Sequence, residues 1–320
     1  MHVIQTRGLT RVYGDRRVVD GFDMHVAEGD IYGFVGKNGA GKSTVMKMID
    51  GLVAPTSGEI ILFGAAVGSG GEEPGSGAES ARQLRRIGVL IESPGLLPNM
   101  SAKDNLMVKA LALGIVDAQA RVREVLRLVG LQGVGAQRTK RFSQGMKQRL
   151  GIGLALLGNP DLLLLDEPFN GLDPEGTRDM RTLLVRLNVT LGITMVISSH
   201  VLEQLDRIAT RYGVIANGRM VREMSASDVQ QECGDSLLIR TSDPSRTLVQ
   251  LERAFPEAAL AALPDGALRM AGASDAGAVA AMLHASDETV LEFSELKRDI
   301  EEYFVELMEG GASHVQSAQV

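Results

Sequence analysis

Hydrophobic and polar positions alternate through the first sixty residues, predicting short strands near 3–6, 18–26 and 59–63, separated by turns. Residues 31–35 are a short apolar strand. The period then changes, with Val45, Met48, Ile49 and Leu52 on one face of an amphipathic helix. A strand at 87–91 precedes two helical segments. Ser101 with Asp104 reads as a capping-box-like start for a helix to about Leu113, and a second helix runs from about Ala118 to Val129, stopped by Gly130. Residues 162–165 and 193–197 are almost wholly apolar, as parallel strands covered on both faces are. Residues 212–216, Asn217-Gly218 and 219–221 predict a hairpin on a type I′ turn.

After about Cys233 the pattern becomes short strand candidates (237–240, 267–270, 290–293) interspersed with helical patches near 247–254, 276–285 and 295–307. The last patch aligns Leu296, Ile300, Tyr303, Phe304 and Leu307, a stripe that either covers the region's own core or meets a partner. Residues 65–80, rich in Gly, Ser, Ala and Glu, predict a flexible surface loop, and 82–86 a solvated basic helix leading into the next strand. The expected organisation is a first domain over 1–232 with a helical part at about 98–158. An accessory α+β region over 233–310 and a disordered tail over 311–320 follow.

The net charge of −7 gives no bulk attraction to phosphate backbones or anionic lipid. Aromatic residues at 4%, without tryptophan, argue against stacking on single-stranded nucleic acid. The single cysteine, Cys233, excludes an internal disulfide and fits a reducing compartment. The start lacks the apolar core of a signal peptide, and no apolar run approaches the ~20 residues that cross a bilayer. A membrane role is therefore expected to come through a partner.

Residues 36–44 read Gly-Lys-Asn-Gly-Ala-Gly-Lys-Ser-Thr, a G-x-x-x-x-G-K-S loop between a strand and a helix, the context a phosphate-binding loop requires. Gly36, Asn38, Gly39 and Gly41 let backbone N–H groups turn inward around phosphate oxygens, and Thr44 continues into the helix N-terminus, which adds partial positive charge. Lys42 supplies a point charge for the β- and γ-phosphates and Ser43 a hydroxyl for Mg²⁺. The chain is expected to bind a nucleoside triphosphate. The strand at 162–165 ends in Asp166 and Glu167. A carboxylate at Asp166 can hold the Mg²⁺ shell, and one at Glu167 can deprotonate the attacking water.

Phe142-Ser-Gln-Gly-Met-Lys-Gln-Arg149 opens a helix with a serine and a glycine, so a hydroxyl and free N–H groups can meet a phosphate. The segment resembles the signature of the ATP-binding-cassette (ABC) ATPases, usually Leu-Ser-Gly-Gly-Gln followed by a residue and Gln-Arg. Ser143, Gly145, Gln148 and Arg149 hold, while Phe142, Gln144 and Met146 depart. Tyr13 matches the family's adenine-stacking aromatic. Asn170-Gly-Leu-Asp173 resembles its dimer-facing loop, with Asp173 the key acid, and His200 falls where the family carries its switch histidine. Where most members have a glutamine contacting Mg²⁺ and water, this sequence has Glu92. That residue and the Phe-Ser-x-Gly-Met signature are similar to those of exporters for bacitracin and lantibiotics.

The resemblance covers about residues 1–230. It implies a P-loop α/β fold of ABC type: an N-terminal antiparallel β subdomain, a mixed or parallel core sheet, a helical insertion and a small α+β accessory region. ATP and Mg²⁺ are the implied cofactors, with Glu167, His200 and Glu92 catalytic, and Ser43, Asp166 and Glu92 at the metal. A second copy, or a homologous ATPase subunit, is expected head to tail with the chain, with Ser143 and Gly145 acting on the other subunit's ATP. The implied partner is a polytopic membrane permease that holds the chain on the cytoplasmic face of the cell membrane, and no nucleic acid. The expected function is powering export of a drug, antibiotic or peptide. Two alternatives are a soluble ABC ATPase acting on nucleic acid or ribosomes, and a small-molecule phosphoryl transferase. The second leaves the signature and His200 unexplained.

Overall fold

The structure, a computed structural model, describes residues 1–69, 75, 77–233, 236–271, 276–286, 289–296 and 299–316. They divide into two compact units, Met1–Glu223 with the chain from Leu307 onward, and Met224–Glu306.

The first unit opens with β1 (His2–Tyr13) and β2 (Arg16–Ala27), an antiparallel pair longer than simple alternation predicts. Register shifts break the period between Thr6 and Leu9 and again at Arg11, while the ladder continues past them. The phosphate-loop strand β3 (Ile31–Val35) is buried at every position and leads into helix α1 (Lys42–Ile49). β4 (Ser57–Leu62) and β5 (Ala65–Ser69) complete a four-stranded sheet of order β2-β1-β4-β5. The expectation of a flexible loop from residue 65 is corrected here. Ala65 to Ser69 pair with β4, and α2 (Ala78–Leu84) begins two residues before the end of the expected loop. Small residues that read as linker serve as an edge strand, and Ser80 and Gln83 of α2 are buried. Residues 70–74 and 76 lie outside the described residues.

β6 (Ile87–Leu90) is followed by three mutually packed helices, α3 (Ala102–Ala112), α4 (Ala118–Leu128) and α5 (Gln144–Leu156). Ser101 and Asp104 form the capping box at the start of α3. Then come β7 (Leu162–Asp166), α6 (Pro174–Leu191), β8 (Thr194–Ser199), β9 (Arg211–Ala216) and β10 (Arg219–Ser225). The six-stranded sheet runs β10-β9-β3-β8-β7-β6, with β6, β7, β8, β3 and β9 paired in parallel. Asn217 (φ 49°) and Gly218 (φ 76°) give the β9–β10 turn the two positive φ values that type I′ demands. Val45, Met46, Met48 and Ile49 of α1 share one buried core with Phe22, Met24 and Ile60 of the first sheet and Phe34, Leu164 and Val196 of the second. That shared core fixes the phosphate loop between the two sheets.

The second unit contains α7 (Ala226–Cys233), β11 (Ser236–Thr241), α8 (Pro244–Ala254), β12 (Ala259–Ala262), β13 (Leu268–Ala271), α9 (Ala276–Ala285) and β14 (Val290–Leu296). Its sheet order, β12-β13-β11-β14, on a βαββαβ connection is the ferredoxin-like arrangement. Leu237, Ile239, Leu268 and Met270 bury against Leu251 of α8 and Val279 and Leu283 of α9. The helix expected from residue 295 starts later, as α10 (Ile300–Gln316), because Ser236 pairs with Leu296 and extends β14. α10 continues past Gly310, where order was expected to end, and 317–320 lie outside the described residues.

Candidate functional site

The phosphate loop curls over the C-terminal end of β3. A Cβ on Gly36 would lie 2.6 Å from Ile215 Cγ2 and 2.7 Å from the Ile215 carbonyl, so β9 leaves room for glycine alone. Gly41, at φ 112°, occupies backbone space that L side chains rarely adopt. Asn38, Gly39, Gly41, Lys42, Ser43 and Thr44 line a cavity of about 330 Å³, closed on its other side by Asp166 and Glu167. Lys42 is 6% exposed, and its Nζ donates to the Gly36 carbonyl at 2.6 Å. Burial lowers its pKa, opposed by the nearby Glu167 and Asp166 carboxylates.

The acids arrive from β7 and are held by β8. Ser43 Oγ donates to Asp166 Oδ2 at 2.7 Å, and Ser198 Oγ donates to Asp166 Oδ1 at 2.5 Å. The Glu167 N–H donates to Ser198 Oγ at 2.9 Å, and His200 Nδ1 lies 2.8 Å from Glu167 Oε2. Glu167 sits at φ 49°, a strained position for a side chain this size. Its Oε1 is buried with no hydrogen-bond partner, and Lys42 Nζ is 3.8 Å away. A buried, unclaimed carboxylate oxygen beside a phosphate loop is equipped to accept a proton from water. The oxygens of Ser43 and Asp166 form the hard donor set that Mg²⁺ prefers, so these residues fit the ion.

Ser143, Gly145 and Asp173 lie elsewhere. They line a second cavity of about 560 Å³, with Gln144, Arg149 and Gly171, that shares no lining residue with the first. Ser143 caps α5, its Oγ accepting from Met146 N–H at 3.3 Å, and Asp173 caps α6, accepting from Gly176 N–H at 2.8 Å. The structure thus gathers these sequence-identified residues into two separate clusters.

Tyr13 and Glu92 line neither cavity. Tyr13 is half exposed at the end of β1, with the Arg11 guanidinium 4.4 Å over its ring. Glu92, at φ 65°, holds its carboxylate on Lys47 Nζ of α1. Arg16 and Val18 line the phosphate cavity and were not singled out from the sequence. The signal for Arg16 is its register position opposite Tyr13 in the β1–β2 pair. A further groove of about 410 Å³ runs beside Glu92, lined by Leu52, Ile91, Pro94, Leu97, Val108 and Leu154.

Comparison with known proteins identifies the family. Residues 19–170 match the family model described as "ABC transporter". The chain is 37% identical over 310 residues to the bacitracin transport ATP-binding protein of Bacillus licheniformis, covering 97% of this chain and 98% of that protein. It is 39% identical over 221 residues to the lantibiotic transport ATP-binding protein of Streptococcus pyogenes, covering 69% and 90%. A dimeric bacterial ABC transporter cassette superposes with TM-score 0.61 at 24% identity, over 70% of this chain and 98% of that one.

Proposed function

The chain belongs to the ABC transporter ATP-binding proteins, ATPases that bind and hydrolyse ATP, and from that premise we propose how its residues divide the work and what it serves. The observation that carries the reading is the pair of disjoint half-sites. A single chain presents a phosphate loop without a signature and a signature without a phosphate loop. Two copies facing head to tail complete each site, with Ser143 and Gly145 of one copy closing over ATP held by the other.

Within a completed site Lys42 and the loop N–H groups bind the β- and γ-phosphates. Ser43 and Asp166 hold Mg²⁺, which supplies charge neutralisation for the phosphates. Glu167 takes the proton of the water that attacks the γ-phosphorus, and His200 fixes the orientation of that carboxylate. ATP favours the closed pair because closure alone completes its contacts, and hydrolysis reopens it.

The cargo reading rests on the bacitracin and lantibiotic transport relatives and on Glu92 with the Phe-Ser-x-Gly-Met signature. The chain powers efflux of an antibiotic, drug or peptide through a separate membrane subunit, which keeps it on the inner face of the cell membrane. No helix among the described residues is long and apolar enough to cross a membrane. The apolar groove beside Glu92, with Leu52 exposed at its edge, is the proposed dock for that subunit.

Glu167→Gln tests the chemistry. Equilibrium ATP affinity stays within about threefold of the parent while steady-state hydrolysis falls at least ~100-fold, the scale of general-base catalysis. Normal turnover in that variant overturns the role of Glu167. Purification from gently solubilised membranes tests the partner: a polytopic protein without its own ATPase domain accompanies the chain if the transport reading is right.

A further inference from the structure

On a chain of net charge −7, one face of the first compact unit is strongly basic. Arg178, Arg181, Val185, Arg186 and Val189 follow one another along α6 at helical spacing, so they share one stripe. Met180, Leu183, Leu184 and Leu187 fill the buried side of the same helix. The stripe forms one wall of a groove of about 900 Å³, and Glu203, Gln204, Arg207 and Ile208, from the segment after His200, form the other. That second wall is anchored to β8, because Ser199 Oγ accepts from the Val201 N–H at 3.0 Å and donates to Gln204 Oε1 at 3.0 Å.

Four arginines in this groove face a single acid, Glu203, and no lysine lines it. The Arg186 guanidinium donates to the Leu128 carbonyl. The side chains of Arg178, Arg181 and Arg207 make no ion pair or hydrogen bond among the described residues, and Arg181 Nε is buried. A buried guanidinium N–H without an acceptor is costly, so the groove is shaped for acceptors that arrive from outside. Arginine is the cation that protein interfaces favour, its planar fork matching a carboxylate, while lysine is depleted there. Val189 is 74% exposed, and Val185 lines the groove between the arginines. Two valines add nothing to the binding of a phosphate backbone or a lipid headgroup, but they suit apolar side chains of a polypeptide. From Arg178 to Val189 the stripe extends about 17 Å, roughly three helical turns.

We propose that this groove docks a helical segment of a partner protein, an acidic segment with apolar residues at three- and four-residue spacing. Its carboxylates pair with Arg178, Arg181 and Arg207, and its apolar side chains cover Val185 and Val189. The groove shares no lining residue with the phosphate cavity, so this dock is separate from ATP binding and does not depend on the head-to-tail pairing. Binding weakens as salt rises, because Arg178 and Arg207 lie at an exposed rim.

The test uses the full chain in its native cells, with the photo-crosslinking residue p-benzoylphenylalanine in place of Val189. Mass spectrometry of the cross-linked peptide is expected to show a segment of another protein with at least three Asp or Glu within about four helical turns. Arg178→Glu with Arg207→Glu lowers the cross-link yield at least about tenfold. Changing the acids of the captured segment to lysine then restores it to within about threefold of the parent, the signature of a direct pair. Both arginines are exposed, and unchanged ATP hydrolysis by the purified double variant shows that it is folded. Arg178→Gln with Arg207→Gln, which only neutralises the charge, gives a smaller loss in the same direction. A yield indifferent to arginine reversal, or lost without rescue by the lysine segment, overturns the proposal. Cross-linking to lipid, to nucleic acid, to a second copy of this chain or to a segment without acids overturns it as well, as does no cross-link at all. Each of those outcomes leaves the ATPase reading standing.

Discussion

Ser198 Oγ ties the two acids of the site together, donating to Asp166 Oδ1 and accepting from the Glu167 N–H. Ser198→Ala leaves both buried groups unsatisfied, at a cost of about 1–3 kcal/mol in stability. It also frees the strained Glu167 backbone, and displacement of a catalytic group by about 1 Å costs up to ~100-fold. Single-turnover hydrolysis is therefore expected to fall roughly 10–100-fold, with equilibrium ATP affinity within about threefold. Equal losses in both would show that Ser198 supports the fold and not the base. The phosphate loop was legible because its chemistry lies in nine consecutive residues, and Asp166 and Glu167 because an apolar strand ends on them. Ser198 carries no such local signal, since its partners are 31 and 32 positions away. The Lys47–Glu92 pair, 45 positions apart, leaves no local trace at all.

At the level of elements, the helix carrying the signature is seated by a glycine on a neighbouring strand. A Cβ at Gly88 of β6 would lie 2.4 Å from the Ala155 carbonyl of α5 and 2.8 Å from Leu163 Cδ2. Backbone cannot yield as a side-chain tip can, so Gly88→Ala pushes α5 from the sheet and destabilises by about 1–3 kcal/mol. Ser143 and Gly145 move with that helix. Urea unfolding measures the loss, and hydrolysis is expected to suffer more than ATP binding. A second element-scale prediction concerns α1 and α3. Burial raises the carboxyl of Asp50, the C-cap of α1, to about 6, opposed by Lys109 of α3. The folded state thus holds this proton more tightly than the unfolded one. Its stabilisation is complete below about pH 4 and is lost as pH rises through about 6. Asp50→Asn removes that dependence, so its stability relative to the parent rises by about 2 kcal/mol between pH 4 and pH 7, read from urea midpoints. Elements with a strong period or cap were legible, as α3 and β3 show. β5 was not, because Ala and Gly carry little pattern, and the end of β14 was decided by a partner strand.

For the whole molecule, the separation of the half-sites makes a prediction that no single-chain site can imitate. Lys42→Ala disables a phosphate loop but leaves its signature intact, and Gly145→Asp crowds a signature while sparing the loop. Each variant alone has no complete site in a symmetric pair, so each is expected to lose hydrolysis. Mixed in equal amounts, half of the pairs are hybrids. In a hybrid, the intact loop of one copy faces the intact signature of the other, and the two damaged halves face each other. One site in two is whole in half of the pairs, so about a quarter of parental hydrolysis returns if the sites act independently. Recovery must rise with total concentration, because it requires association. If each chain instead completed its own site, mixing would return nothing at any concentration. The sequence could name the parts of both halves, but that they fall in two cavities of one chain became visible only once α5 and α6 had been placed away from the phosphate loop.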